Sequence, residues 1–98
     1  MPKEAEIRKK ALKKLTNKNW ICWFPPKTRY HHTDILGIAD LICIKGKQIK
    51  FIQLTTISNL STRKRKIEKF LAKNKLKIPT DVWGYSKKNK KFKIIKIC

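Results

Sequence analysis

Residues 34–56, DILGIADLICIKGKQIKFIQLTT, decide the fold. Two apolar, β-branched runs flank Gly46-Lys47, and a Gly-X pair is a favoured type II′ hairpin turn. The pattern predicts strands over 37–44 and 48–56. With Gly46-Lys47 as the turn, Lys45 faces Gln48, Ile44 faces Ile49, Ile42 faces Phe51 and Asp40 faces Gln53. Paired side chains share a sheet face with Cβ atoms about 5 Å apart, and Thr55 follows Gln53 on that face. A slip of one residue would turn Gln53 to the other side. Residues 37–44 have almost no polar interruption, which predicts cover on both faces of that strand.

Working outward, PKEAEIRKKALKKLTNKN (2–19) repeats apolar residues at Ile7, Ala11 and Leu15, with Leu12 beside them, as one helix stripe does. Pro2 suits a first turn, Glu4 and Glu6 suit the positive end of the helix dipole, and Asn17 and Asn19 suit its stop. WICWF (20–24) reads as a strand ended by Pro25 and Pro26, and KTRYHHT (27–33) as a loop. After the hairpin, Ser61 is the expected N-cap of a helix to about Lys75, with Leu60, Ile67, Phe70 and Leu71 as its stripe. DVWGY (81–85) and FKIIKI (92–97) complete the order αβββαββ. The expectation is an α/β (α+β) fold, a mixed sheet with helices packed on it, in one domain over 1–98.

The 98 residues carry 26 Lys or Arg against 6 Asp or Glu, a net charge of +20. Such an excess repels itself, and a polyanion is the simplest partner that relieves it. The charge is uneven: residues 34–60 hold 3 basic and 2 acidic residues, whereas 61–98 hold 14 and 2. A nearly neutral hairpin thus lies between basic flanks able to grip phosphates. Cys22, Cys43 and Cys98 show no metal-ligand spacing, and two of them lie in apolar runs, so free thiols in a reducing, cytoplasmic setting are expected. No apolar run reaches the roughly 20 residues of a membrane span, and the first residues lack the apolar core of a signal peptide.

An aspartate among Ile38, Ile42 and Ile44 is expensive to bury unpaired. One account is a structural carboxylate satisfied at a strand end. The other is chemical: the Asp40 carboxylate and Gln53 amide oxygen are hard ligands suited to Mg²⁺ or Mn²⁺, which keep waters and bind a substrate phosphate.

GIADLICIKGKQIKFIQLTT, within the order αβββαβ, resembles the motif II and III hairpin of the PD-(D/E)XK nuclease superfamily. It is most similar to small Holliday-junction-resolvase-like and VRR-NUC-like members and to phage relatives carrying D-x-x-G-x-x-D followed by I-Q-V-T. The similarity spans roughly residues 4–85 and implies a restriction-endonuclease-like core. It implies Asp40 as the metal-binding aspartate and Gln53 as the first residue of the (D/E/Q)-x-K triplet. Glu6, or Glu4, matches the acid many members carry on the first helix, and also reads as a dipole-compensating surface residue. Asp34 is a second nearby acid that could replace it, or cap the turn. Thr55 departs from the pattern, because the family has lysine there to position the attacking water. Some members move that cation to the next helix. On a 100° wheel centred on Ile67, Arg63 falls about 40° away and Lys66 about 100° away, so either could supply it.

Three aromatics in 20–24, and the pair Trp83 and Tyr85, read mainly as core, though one exposed ring could stack on an unpaired base. Arg29, His31 and His32 precede Asp34 in a loop, and are expected to contact DNA near the scissile phosphate. RKRK (63–66), with Lys64 and Arg65, and KKNKK (87–91), with Lys87 and Lys88, are expected to bind backbone rather than read bases. The resemblance implies a Mg²⁺- or Mn²⁺-dependent DNA endonuclease. A branched or junction substrate is implied by the family alone, and paired symmetric cuts would need a homodimer. The competing readings are an inert nucleic-acid-binding protein on the same fold and a basic structural protein of ribosomal or chromatin type.

Overall fold

The computed structural model describes residues 3–24 and 39–97, with side chains from Glu6 onward. The turn at Gly46-Lys47 sets the sheet. Gly46 has φ +60° while Lys47 does not share a positive φ, as a type II′ turn requires. It joins β2 (Leu41–Lys45) to β3 (Gln48–Thr56) in the predicted register, with Lys45 opposite Gln48, Ile44 opposite Ile49 and Ile42 opposite Phe51. β1 (Ile21–Trp23) pairs antiparallel with β2, Trp23 lying opposite Ile42. β4 (Thr80–Ser86) runs parallel to β3, and β5 (Lys91–Ile97) antiparallel to β4. The sheet order is β1-β2-β3-β4-β5. The architecture is mixed α/β, with the predicted element order αβββαββ.

Two helices cover opposite faces. α1 (Lys3–Asn17) sets Ala11 and Leu15 against Leu41, Cys43, Ile52 and Trp83. It stops where Asn19 takes a left-handed conformation (φ +67°), with Trp20 N donating to Leu15 O at 3.0 Å. Because β3 and β4 are parallel, a crossover must return along the sheet. That crossover is a 3₁₀ turn (Ile57–Asn59) and α2 (Leu60–Lys73). Leu60, Ile67 and Leu71 pack with Ala39, Val82 and Ile97 on the second face. Asn59 is the N-cap, not Ser61, which lies inside the first turn. The preceding 3₁₀ turn starts the helix earlier than the hydroxyl signal suggested. Gly84 is needed beneath this end: a Cβ there would stand 2.9 Å from Leu60 Cδ1.

The expectation of cover on both faces of residues 37–44 holds in part: Ala39 is buried in the α2 cluster and Ile42 is half-buried, while residues 37–38 lie outside the described ones. Leu41 and Cys43 are buried under α1, but Ile44 on the opposite face is 44% exposed. α2 packs over β3, β4 and β5, and stops short of β1 and β2. The order of β-branched residues reports strand propensity and says nothing about where a helix three elements later will land.

Two further contacts tie the first face together. Lys50 Nζ lies 3.0 Å from Asp81 Oδ2, and Trp83 Nε1 donates to the same oxygen at 3.4 Å. Cys22 and Cys43 are direct cross-strand neighbours with sulfurs 3.0 Å apart, both as free thiols. Burial, and then the hydrogen bond with Cys22, push the Cys43 thiol pKa well up. Among the described residues no helix is long and apolar enough to cross a membrane.

Candidate active site

The site forms where the hairpin ladder ends. Asp40 N donates to Ile52 O at 2.8 Å, which holds Asp40 one residue before β2 and beside β3. Its carboxylate then meets Gln53: Gln53 Nε2 donates to Asp40 Oδ2 at 2.8 Å. Leu54 N donates to the same oxygen, also at 2.8 Å. Gln53 Nε2 makes a further contact to Leu54 O at 3.2 Å. The amide nitrogen's donors are thus spent on Asp40 and the backbone. Gln53 is buried and Asp40 half-buried. The predicted meeting of one carboxylate and one carboxamide is present. The backbone N–H of Leu54 has no signature in the sequence, because no side-chain pattern signals a strand amide turned toward a carboxylate.

Gln53 lies on the α2 side of the sheet, since Ile52 packs under α1 and Phe51 against the α2 cluster. Thr55, half-buried, follows on that side opposite Gly84 and offers a hydroxyl and no charge. Glu6 is exposed on α1, which packs on the other face. The described geometry therefore does not bring it to Gln53. On α2, Arg63 is half-buried and Lys66 exposed. Leu60 seats on Gly84, the partner of Thr55. The helix then descends about 5.4 Å per turn, and the sheet about 6.6 Å per two residues. Arg63 lies about one turn on from Leu60. It forms no ion pair with a described residue. Of the two α2 cations, Arg63 is the more buried.

The basic residues on the rim are more dispersed. Lys64 is half-buried and approaches Glu68 at 3.9 Å, while Arg65, Lys87 and Lys88 are exposed. Lys93, opposite Gly84, and Lys91 line a shallow cleft of about 570 Å³ with Ile57, Ser86, Asn89 and Phe92. Arg29, His31, His32 and Asp34 lie outside the described residues, as do Cys98 and the side chain of Glu4. Among the described residues no group of three or more His, Cys, Asp or Glu side chains is placed to hold a metal ion.

The aromatics divide by face. Trp83 is buried and tilts against Phe92 at 5.2 Å between centroids, and Tyr85 tilts against Phe92 at the same distance. Lys10 donates to Tyr85 Oη at 2.7 Å from α1. Trp20 and Phe24 are half-buried, whereas Trp23 is 55% exposed. No family model, curated protein or solved structure matches this chain.

Proposed function

We propose that the chain is a metal-dependent DNA endonuclease of the PD-(D/E)XK type, with Asp40 and Gln53 at its centre. The observation that carries this reading is the 2.8 Å meeting of their side chains at the end of an antiparallel hairpin. It lies in a sheet whose next strand runs parallel after a helical crossover. The donor set fits a hard cation: one carboxylate and one amide oxygen leave most of the coordination sphere to waters and a phosphate, the habit of Mg²⁺. Bound there, the cation would polarise the phosphate and acidify a water.

The chain's own residues do the rest. Gln53 and Leu54 fix the Asp40 carboxylate from two directions, so it is set before any ligand arrives. Thr55 adds no charge, and Arg63 supplies the cation that offsets charge developing on the phosphate. Lys64, Arg65, Lys87 and Lys88 hold the DNA backbone, with Arg29, His31 and His32 from the sequence before Asp34. A branched substrate and a homodimer rest on the family resemblance alone.

One observation favours a second reading. The Asp40–Gln53 pair is internally satisfied, as a purely structural pair would be, and Thr55 stands where the family's lysine belongs. On that reading the protein binds nucleic acid without cutting it. Supercoiled plasmid and four-way-junction DNA incubated with Mn²⁺ or Mg²⁺ separate the two. Cleavage by the native chain, lost in Asp40→Asn while DNA binding is kept, supports the nuclease. Uncut DNA across both metals, with binding intact, supports the inert binder.

A further inference from the structure

We infer that the open half of the α2-side sheet face is a platform for unpaired nucleobases, with Trp23 as its stacking ring. The inference rests on the nucleic-acid reading above and names the substrate class: single-stranded DNA, or a duplex with unpaired bases. The face is built by register. Trp23, Ile42 and Phe51 form one cross-strand row, and Ile21, Ile44 and Ile49 the next. α2 leaves it uncovered: Ile21 is 74% exposed, Trp23 55% and Ile49 49%. A contiguous apolar surface of this kind marks an interaction site.

Charge selects the occupant. The chain is +20, so a second copy would bring another +20 to the contact. Single-stranded nucleic acid brings flat apolar rings and the opposite charge together. Paired duplex hides those rings in its stack and presents mainly phosphates to a flat surface. Position agrees. The Trp23–Ile42–Phe51 row lies one step along the strands from Asp40 and Gln53. Trp23 pairs with Ile42, which is two residues along the chain from Asp40 on the neighbouring strand. A base on Trp23 would therefore flank a phosphate held at Asp40.

The test is fluorescence anisotropy in EDTA, which reads binding without cleavage. The probes are a labelled oligothymidylate of about 20 nucleotides and a duplex of equal length. Trp23→Ala is expected to weaken oligothymidylate binding about tenfold and duplex binding less than about twofold, with Trp23→Phe close to native. Ile44→Ser, on the same face but outside the ring, is expected to shift oligothymidylate binding in the same direction, which keeps the test open should Trp23→Ala fold poorly. Equal loss on both probes, or none on either, overturns the inference. A native dimer in sedimentation that Trp23→Ala dissociates would also overturn it, and assign the face to a second copy. Because no metal is present, selective loss would stand even if the Mn²⁺ cleavage assay failed, so the two readings fail separately.

Discussion

Replacing Asp40 by alanine should destabilise the fold before it says anything about chemistry. Its Oδ2 accepts from Gln53 Nε2 and Leu54 N, both at 2.8 Å. Truncation strands a buried amide and a strand N–H together. Each stranded donor costs about 1–3 kcal/mol. Gln53 keeps its contact to Leu54 O, and water can enter beside the half-buried Asp40 position, so about 2–4 kcal/mol is expected for the pair. At about 4–8 °C per kcal/mol for a domain of this size, the melting temperature should fall by roughly 10–25 °C. Urea denaturation followed by circular dichroism measures it, with Asp40→Asn as the milder comparison because one side-chain acceptor survives. Gln53→Leu combined with Asp40→Ala should cost less than the sum of the two single changes, since the stranded amide is gone. A loss below about 0.5 kcal/mol for Asp40→Ala, a typical surface value, would refute the hydrogen-bonding scheme.

Other perturbations test the scaffold. Lys50→Met leaves the 7%-exposed Asp81 side chain with only the long Trp83 N–H contact. It should cost about 2–3 kcal/mol in urea denaturation, toward the low end for breaking a buried pair because Lys50 is partly solvated. Gly46→Ala meets no atom within 4 Å and should lose about 1 kcal/mol through its positive φ alone. Gly84→Ala should lose about 1–3 kcal/mol through the Leu60 contact, and Leu60→Ala in the same chain should recover part of that loss. The Cys43 thiol is raised above its ordinary value of 9.0 in the fold, so above that pH the unfolded chain releases a proton that the folded chain keeps. Stability should fall as pH rises past that value, with a shallower fall in Cys43→Ala, and iodoacetamide should modify native Cys22 before Cys43.

Where the sequence carried local information, it was readable. A two-residue Gly-X turn leaves one antiparallel register, which the ladder keeps from Lys45–Gln48 to Leu41–Ile52, and just beyond its end the Asp40 and Gln53 side chains meet. The α2 stripe at Leu60, Ile67, Phe70 and Leu71 followed from helical period, and Leu60, Ile67 and Leu71 are buried. What failed depended on tertiary placement. The exposure of Ile44 and Trp23 is set by how far α2 reaches across the sheet, which period and propensity do not encode. The Cys22–Cys43 contact needs the β1–β2 register, and the sequence between those strands carries no two-residue turn signal that would predict it. Order along the chain also says nothing of which face a helix covers, and Glu6 sits on α1, on the face away from Gln53. Asp81 could have been suspected: a lone acid opening an apolar strand in so basic a chain needs a cation, and Lys50 supplies it.

The central claim is that Asp40 and Gln53 together form a hard-cation site, and Mn²⁺ binding tests it most directly. Titration of the native chain with Mn²⁺, followed by loss of the free-ion paramagnetic signal, should show one ion per chain. Asp40→Asn and Gln53→Leu should each weaken binding about tenfold or more, equivalent to about 1.4 kcal/mol. Native binding that neither substitution changes, or a native chain that leaves the signal untouched at about millimolar Mn²⁺, would contradict the account.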